Sequence, residues 1–156
     1  MSSGAPGGAA DDARPVRLLA AGGTISMRGE HAVPALDAGE LIAAIPQLEA
    51  RVGGGGLTAQ DVLSLPSAQL SLEQALDLAS LAVGAAARGE GVVISTGTDT
   101  LEELAMLCAL MHDGGGAPIA ITGANRPAAA PGADGPANLL DAVSDAASPA
   151  TGALGT

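Results

Sequence analysis

Two short apolar runs in this chain each end in a glycine turn that presents a threonine. Residues 18–25 read LLAAGGTI, and residues 92–100 read VVISTGTDT. In an α/β sheet, small ligands bind at the turns that follow the strands. Two hydroxyl groups presented by such turns therefore predict one paired ligand site.

The apolar pattern predicts strands that alternate with helices along the whole chain. Strands are expected at 16–21, 61–65, 92–95 and 118–122. A helix is expected after a cap at Asp37, and three more over 71–83, 100–111 and 136–143. Alternation of this kind favours a parallel sheet with right-handed crossover helices. The chain is thus expected to form an α/β domain.

Local signals refine this expectation. Capping boxes are predicted at Ser71–Gln74 and at Thr100–Glu103, because a hydroxyl is followed three residues later by a Gln or Glu. The first of these helices is expected to bury one face, formed by Leu72, Ala75, Leu76, Ala79, Ala82 and Val83. Residues 26–36 are expected to be an irregular flap over the first turn, and 53–56 a flexible surface loop. Residues 151–156 are expected to lead into another strand.

Length and composition fit one domain with an unusual core. The chain has 156 residues and 47% hydrophobic residues, but no Phe, Tyr or Trp. This length suffices to bury a core, which Leu, Val, Ile, Ala and Met must build. Residues 1–14, rich in Gly, Ala and Ser, are expected to be a disordered tail, and 15–156 the domain.

Charge and cysteine content exclude several functions. The net charge of −11 and the absence of aromatic residues argue against nucleic-acid binding and against anionic membranes. No segment reaches the roughly 18 apolar residues that a membrane span needs. The start of the chain lacks the basic and apolar regions of a secretory signal. With Cys108 as the single cysteine, a cytoplasmic location is expected.

The two glycine turns carry the residues best suited to chemistry. Gly22 and Gly23 let backbone N–H groups approach a ligand closely, so Thr24 is a candidate nucleophile with an oxyanion site beside it. A helix cap or turn hydroxyl is the alternative for Thr24. In the second turn Thr98 and Asp99 are surplus to capping, and a carboxylate at a helix start is electrostatically favoured. Such a carboxylate can bind an ammonium group.

The other reactive residues give weaker indications of a functional site. His31 and His112 are too far apart in sequence to indicate a metal pair, so no metal or cofactor is expected. Cys108 lies among apolar residues and is expected to be buried. Arg126 has two open readings, as a structural residue or as an anchor of its loop to Asp134.

Four segments together resemble the bacterial-type L-asparaginases, which include the asparaginase/glutaminase enzymes. They are 21–25 (AGGTI), 95–103 (STGTDTLEE), 122–127 (TGANRP) and 133–139 (ADGPANL), in the order found in that family. The resemblance extends over residues 16–156. It implies the flavodoxin/Rossmann-like, three-layer α/β fold of the family's N-terminal domain, with the smaller C-terminal domain absent and homo-oligomers formed by full-length members.

The resemblance also implies roles for individual residues. Thr24 is similar to the nucleophile that attacks the side-chain amide and forms an acyl-enzyme, and Thr98 to the second catalytic threonine. Asp99 corresponds to the carboxylate that holds the α-amino group, and Ser67 to the hydroxyl that binds the α-carboxylate. The backbone around Gly97 orients that end. L-asparagine, or L-glutamine, is the implied substrate, and no cofactor is implied.

The chain departs from the family pattern at several positions. It has no tyrosine for the flap, Ala68 stands where glutamine is usual, and Thr96 where histidine is frequent. The lysine that partners the second threonine is also missing, because all six basic residues are arginines. General acid–base help is worth about 10²–10⁴ in rate. Little or no asparaginase activity is therefore expected.

Two other functions remain open from the sequence. One is a non-catalytic module that binds amino acids or a partner. The other is an amidase acting on glutamine or on an amide of charged tRNA, although the acidic charge disfavours the tRNA version. An end at Thr156 would also leave the sheet edge uncovered, which predicts association or aggregation of the isolated chain.

Overall fold

A computed structural model describes residues 13–23, 27–28, 33–34, 37–127 and 130–153. The strands are β1 (Val16–Ala20), β2 (Met27–Arg28), β3 (Val33–Pro34), β4 (Leu57–Asp61), β5 (Gly91–Ser95) and β6 (Ile119–Thr122). The helices are α1 (Ala38–Ala44), α2 (Gln47–Val52), α3 (Leu72–Ala87), α4 (Leu101–Met111) and α5 (Gly135–Ala147).

Four of these strands form one parallel sheet in the order β4–β1–β5–β6. The sheet grows from β1 to β4 on one side, and the chain then returns to place β5 on the other side of β1. The crevice between β1 and β5 is therefore the topological switch point, where ligands bind in open α/β sheets. Ala20 pairs with Ser95 in register, so the two strands end at the same level.

Helices cover both faces of the sheet and confirm the three-layer α/β fold. Helices α1, α2 and α5 pack on one face against Val16, Leu18 and Val93. Helices α3 and α4 pack on the opposite face against Leu19, Val92 and Ile94. Aliphatic side chains and alanines fill both interfaces, as a chain without aromatic residues requires.

Two of the three predicted helix caps are confirmed. Asp37 caps α1 and forms a capping box with Glu40, and Ser71 forms one with Gln74 at the start of α3. The Thr100–Glu103 box is wrong, because the Thr100 side chain makes no cap hydrogen bond. Its hydroxyl instead donates to the carbonyl oxygen of Ser67 at 3.3 Å. A 3₁₀ turn, Thr98–Thr100, precedes α4.

The second predicted strand is displaced along the sequence. β4 covers Leu57–Asp61 rather than 61–65 and pairs with β1 from Leu57 opposite Val16. Asp61 ends the strand, and its carboxylate accepts a 2.8 Å hydrogen bond from the N–H of Ala38 at the start of α1. Helix α2, which the sequence analysis did not predict, also lies between β1 and β4.

Two further predictions are corrected, and a third is refined. Within residues 26–36, β2 and β3 pair as an antiparallel hairpin rather than forming only irregular structure. Residues 149–153 form a 3₁₀ turn where 151–156 were expected to lead into a strand, and residues 154–156 lie outside the described residues. The predicted surface loop at 53–56 is exposed at residues 53, 54 and 56, as expected, and residues 53–55 form a 3₁₀ turn in which Gly55 packs against the carbonyl oxygen of Arg14.

The buried face of α3 is predicted correctly at Ala75, Ala79 and Ala82 but wrongly at Leu72 and Leu76. Leu72 and Leu76 are 68% and 40% exposed, whereas Leu78 is fully buried. Alanines form most of the inner face, at positions 75, 79, 82, 85 and 86. Leu78 and these alanines, rather than Leu72 and Leu76, therefore face the sheet.

The described residues before β1 contact the end of α5. Arg14 donates its N–H to the carbonyl oxygen of Ala147 at 3.3 Å. Residues 1–12 of the tail predicted at 1–14 lie outside the described residues, so that tail and the domain boundary at 15 remain predictions. Among the helices that the structure describes, none has the length and apolarity to cross a membrane.

Candidate functional site

The turn after β1 packs against two other turns at the same end of the sheet. Gly22 and Gly23 both have positive φ angles, 80° and 83°, which favour glycine. A Cβ atom on Gly22 would lie 2.5 Å from the carbonyl oxygen of Leu65, and one on Gly23 would lie 2.2 Å from the nitrogen of Gly97. Only glycine permits this approach of three backbones.

The turn after β5 presents two polar side chains to solvent. Thr96 is buried, and its N–H donates to the carbonyl oxygen of Thr122 at 2.9 Å. The backbone is extended at Gly97 and then enters the 3₁₀ turn that leads into α4. Thr98 and Asp99 are both exposed. The turn thus places a hydroxyl and a carboxylate together at the helix start.

Ser67 lies beneath Asp99 and joins the loop after β4 to this turn. Its hydroxyl donates a 2.7 Å hydrogen bond to the Asp99 carboxylate and accepts one of 3.2 Å from the Asp99 N–H. Ser67 is only 2% exposed. A Cβ atom on Gly97 would lie 2.2 Å from the Ser67 hydroxyl oxygen, so a glycine at 97 is needed for this packing.

The loop after β6 packs against the turn after β5. A Cβ atom on Gly123 would lie 3.3 Å from the methyl group of Thr98. The side-chain amide of Asn138 on α5 donates to the Gly123 carbonyl oxygen at 3.0 Å. This contact fixes the loop against the first turns of α5.

Asp134 organises the rest of that loop through backbone hydrogen bonds. The N–H groups of Asn125 and Arg126 donate to its carboxylate at 3.0 and 2.9 Å. These two bonds lower the pKa of Asp134 from its usual value. The Arg126 guanidinium donates to the Gly132 carbonyl oxygen. Arg126 therefore anchors the loop to Asp134, but through its backbone N–H rather than its side chain. The side chain spans the loop to Gly132.

Four of the five predicted site residues meet at one place. Ser67, Gly97 and Asp99 are in direct contact, and Thr98 follows Gly97 in the same turn. Thr24 lies outside the described residues, but its neighbour Gly23 packs on Gly97. The sequence analysis gave no role to Gly123. Its position directly after β6 was the available signal, because all strand ends of a parallel sheet share one edge.

The arrangement favours recognition of a cationic group beside a hydroxyl. The Asp99 carboxylate is exposed and already holds one hydrogen-bond donor in Ser67. An ammonium ion can replace that donor and form a charge-assisted hydrogen bond. Thr98 makes no side-chain hydrogen bond with any other described residue, which leaves its hydroxyl available to a ligand.

The remaining reactive side chains lie elsewhere. Cys108 is fully buried, as expected, and its burial raises the pKa of the thiol to about 11. His112 accepts from the Gly114 N–H and contacts the Ala117 carbonyl oxygen, so its ring supports a turn. His31 lies outside the described residues. Within the described part of the chain, no group of three His, Cys, Asp or Glu side chains is placed to hold a metal ion.

Comparison with known proteins identifies the family of this chain. The family model described as "Asparaginase, N-terminal" matches residues 15–156. The chain belongs to the asparaginase family. The resemblance seen in the four sequence segments is thereby confirmed, and membership supports a hydrolase of the asparaginase type.

Named relatives agree with this assignment. A "Probable L-asparaginase 4" of Schizosaccharomyces pombe is 37% identical over 142 residues, covering 85% of this chain and 39% of the relative. "L-asparaginase 2" of Bacillus subtilis is 32% identical over 152 residues, covering 90% of this chain and 39% of the relative. This chain therefore spans about two fifths of the length of either asparaginase.

A solved asparaginase shares the fold. The crystal structure of a probable cytoplasmic L-asparaginase from Campylobacter jejuni matches with a TM-score of 0.80 and 31% sequence identity. The match covers 91% of this chain and 44% of that chain. The parallel three-layer architecture is thus that of an asparaginase, over the part that this chain represents.

Proposed function

We propose that this domain binds L-asparagine at the carboxyl ends of β1 and β5, and that its threonines belong to an asparaginase-type amidohydrolase. The observation that carries the proposal is the contact between Gly23 and Gly97, with 2.2 Å between the Cβ position of one and the nitrogen of the other. This contact supports a common cleft for Thr24, which follows Gly23, and Thr98, which follows Gly97.

In the proposed complex, Asp99 binds the α-ammonium group of the amino acid. The Ser67 hydroxyl has one proton, which it donates to Asp99 in this structure. When the ammonium group takes that place, the hydroxyl proton becomes available for the α-carboxylate of the same ligand. Backbone groups around Gly97 orient this end, and the side-chain amide extends toward the two threonines.

The proposed chemistry proceeds through an ester of Thr24. The Thr24 oxygen attacks the amide carbon, the carbon–nitrogen bond breaks, and the hydroxyl proton leaves with the nitrogen as ammonia. Water then attacks the ester, which releases aspartate and restores the threonine hydroxyl. A threonine hydroxyl needs a nearby base or cation for this reaction, and the chain has no lysine to assist Thr98. We therefore propose that the chain as given binds its substrate but hydrolyses it slowly or not at all.

Related properties form part of the same proposal. L-glutamine is the alternative substrate, because one additional methylene group changes only the reach of the amide. Cytoplasmic location is proposed from the composition and from the named Campylobacter jejuni relative, although a Haemophilus influenzae relative, 34% identical, is named periplasmic. Homo-oligomeric assembly is proposed for the longer members of the family.

Ligand titration by NMR tests the binding proposal. L-asparagine and succinamate, which lacks the α-ammonium group, are compared on the wild-type chain and on Asp99→Asn. The wild type is expected to bind L-asparagine about tenfold more tightly than it binds succinamate. Asp99→Asn is expected to bind L-asparagine about tenfold more weakly than the wild type does, because a charged hydrogen bond is lost in both cases. Thr58→Val, at the opposite end of the sheet, is the control and is expected to bind normally. Equal affinities across these complexes would contradict the proposal.

Ammonia release from L-asparagine tests the chemical part separately. The chain is expected to release ammonia at a rate about 10² or more below that of a full-length relative, because acid–base assistance is missing. Thr98→Val is expected to keep the affinity for L-asparagine and to remove any residual turnover. A turnover rate close to that of the full-length relative would refute the expected inactivity without affecting the binding proposal.

A further inference from the structure

The segment 123–126, directly after β6, is held at both ends by side chains from the start of α5. At its beginning, the carbonyl oxygen of Gly123 accepts a 3.0 Å hydrogen bond from the side-chain amide of Asn138. At its end, two backbone N–H groups donate to the carboxylate of Asp134 at 3.0 and 2.9 Å. The first turns of α5 therefore fix the path of this segment past the candidate site.

Of these contacts, the Asn138 hydrogen bond lies where the segment meets the candidate site. A Cβ atom on Gly123 would lie 2.7 Å from the carbonyl oxygen of Thr96 and 3.3 Å from the methyl carbon of Thr98. The Asp134 hydrogen bonds reach the segment two and three residues further along. Among the side chains that hold the segment, Asn138 thus acts most directly on the contact between Gly123 and Thr98.

The amide of Asn138 has one orientation that suits its surroundings. Its nitrogen lies 3.0 Å from the Gly123 carbonyl oxygen and 3.5 Å from the Asp134 carboxylate. Both of these groups are acceptors, and only the NH₂ group of the amide can donate to them. Because an amide oxygen in the same place would face two acceptors, Asn138 is a fixed donor to Gly123.

The contact at Gly123 determines the direction of the Thr98 hydroxyl. A threonine Cβ atom carries its methyl and hydroxyl groups in a fixed arrangement, and its χ1 angle takes one of three staggered values. Holding the methyl group against the Gly123 backbone therefore fixes where the hydroxyl points. The hydroxyl makes no hydrogen bond with another described residue, so this packing has no competing polar contact there.

We propose that Asn138 is a positioning residue for Thr98. Its hydrogen bond holds the Gly123 backbone against the Thr98 methyl group, and this packing keeps the Thr98 hydroxyl in one direction beside the side-chain amide of the ligand. Asn138 acts through Gly123 rather than on the ligand, as side chains behind a site hold those that line it. The inference rests on the proposed function for the ligand, whereas the fixed rotamer is a property of the free chain.

NMR of the ligand-free chain tests this positioning. The three-bond couplings from the Thr98 methyl carbon to its backbone nitrogen and carbonyl carbon report the χ1 angle. The wild type is expected to show the couplings of a single rotamer, and Asn138→Ala averaged couplings. Asn138→Asp keeps the shape of the side chain but places a carboxylate beside two acceptors, so it is expected to act like Asn138→Ala.

Two control variants on α5 separate positioning from general effects. Asp141→Asn makes the reverse exchange of atoms at an exposed position about one turn further along. Val143→Ala truncates a fully buried side chain and lowers the stability of the domain, without removing the Asn138 hydrogen bond. Both are expected to keep the single Thr98 rotamer. Averaged couplings in Val143→Ala or in the wild type, or a single rotamer in Asn138→Ala, would overturn the inference.

Titration with L-asparagine separates this inference from the proposed function. Asn138→Ala is expected to bind L-asparagine with the affinity of the wild type, because Asp99 provides the charged contact, and to keep averaged Thr98 couplings in the complex. A loss of affinity as large as that of Asp99→Asn would assign Asn138 to ligand binding and overturn its positioning role. Absence of L-asparagine binding by the wild type would refute the proposed function alone, since the couplings of the free chain decide the role of Asn138.

Discussion

The hydroxyl of Ser67 donates a 2.7 Å hydrogen bond to the carboxylate of Asp99 and accepts a 3.2 Å hydrogen bond from the N–H of the same residue. This pair joins the loop after β4 to the turn after β5. Since Ser67 is 2% exposed, a ligand can bind the Ser67 hydroxyl only if the hydrogen bond between that hydroxyl and the Asp99 carboxylate is broken. The carboxylate therefore forms the accessible surface of the site, and the serine supports it from beneath.

Substitution Ser67→Ala is expected to destabilise the domain by about 1 kcal/mol, because two hydrogen bonds to Asp99 are lost. Urea unfolding measures the free energy. Ser80→Ala is the control, since Ser80 is exposed on α3 and its hydroxyl donates to the Leu76 carbonyl oxygen of the same helix, and its change should stay within about 0.5 kcal/mol. Equal changes in the free energy of unfolding for the two substitutions would show that the hydrogen bonds between Ser67 and Asp99 do not stabilise the domain.

Substitution Ser95→Ala is expected to act in the opposite direction. Ser95 is fully buried on β5, and its hydroxyl oxygen has no hydrogen-bond partner among the residues that the structure describes. Removing an unsatisfied buried hydroxyl should raise the free energy of unfolding by about 1 kcal/mol. The same urea experiment measures it. A loss of stability instead would reveal a hydrogen bond at this hydroxyl.

Substitution Gly97→Ala is expected to cost about 2 kcal/mol and to weaken L-asparagine binding. The φ angle of −75° suits alanine, but the new Cβ would lie 2.2 Å from the Ser67 hydroxyl oxygen, which overpacks the site. At Gly54 nothing lies within 4 Å of the Cβ position, so Gly54→Ala should be nearly neutral. Thermal unfolding of both variants decides the prediction, which fails if they behave alike.

Acidification is expected to weaken the contact between β1 and β5 through Glu90. Hydrogen bonds from Arg17 at 2.7 Å and Arg88 at 3.0 Å hold the pKa of Glu90 below its ordinary value of 4.5. A lowered pKa in the folded state contributes stability above pH 4.5, and that stability is lost as the pH falls through the lowered pKa.

The Glu90→Gln variant isolates this contribution. It is expected to be about 1 kcal/mol less stable than wild type at neutral pH, a value typical of partly exposed ion pairs. The difference should vanish in acid, as wild-type Glu90 becomes protonated. Urea unfolding across pH measures it. A difference that is independent of pH would assign the effect to packing rather than to charge.

The buried strands and the site residues were accessible to sequence reasoning because they carry strong local signals. Residues 91–95 are all buried, and the run Val92–Val93–Ile94 has the β-branched composition of a central strand. Asp99 was singled out from its place at a helix start, whereas Ser67 and Gly97 came from the family resemblance, and the structure brings the three residues into contact. No pattern in the sequence showed that Ser67 would lie beneath Asp99, since that depends on how two distant loops pack.

Edge elements were less predictable because tertiary contacts determine them. β4 is exposed at Thr58 to Asp61, and backbone pairing with β1 rather than apolar alternation fixes its position. The strand was predicted four residues too far toward the C-terminus, because the residues that follow Asp61 are more apolar. Thr100 had the correct spacing for a capping box, but its hydroxyl binds the Ser67 carbonyl oxygen. In α3 the burial of Ala79 and Ala82 was predicted correctly, but hydrophobicity alone also placed the exposed Leu72 and Leu76 on the buried face.

Titration of the ¹⁵N-threonine-labelled chain with L-asparagine tests the central claim, that the turns after β1 and β5 form one ligand site. The account predicts that the amide signals of Thr24 and Thr98 shift together with a single dissociation constant, while those of Thr58 and Thr151 stay unchanged. A shift of Thr98 without any response of Thr24, or no shift of either signal, would contradict it.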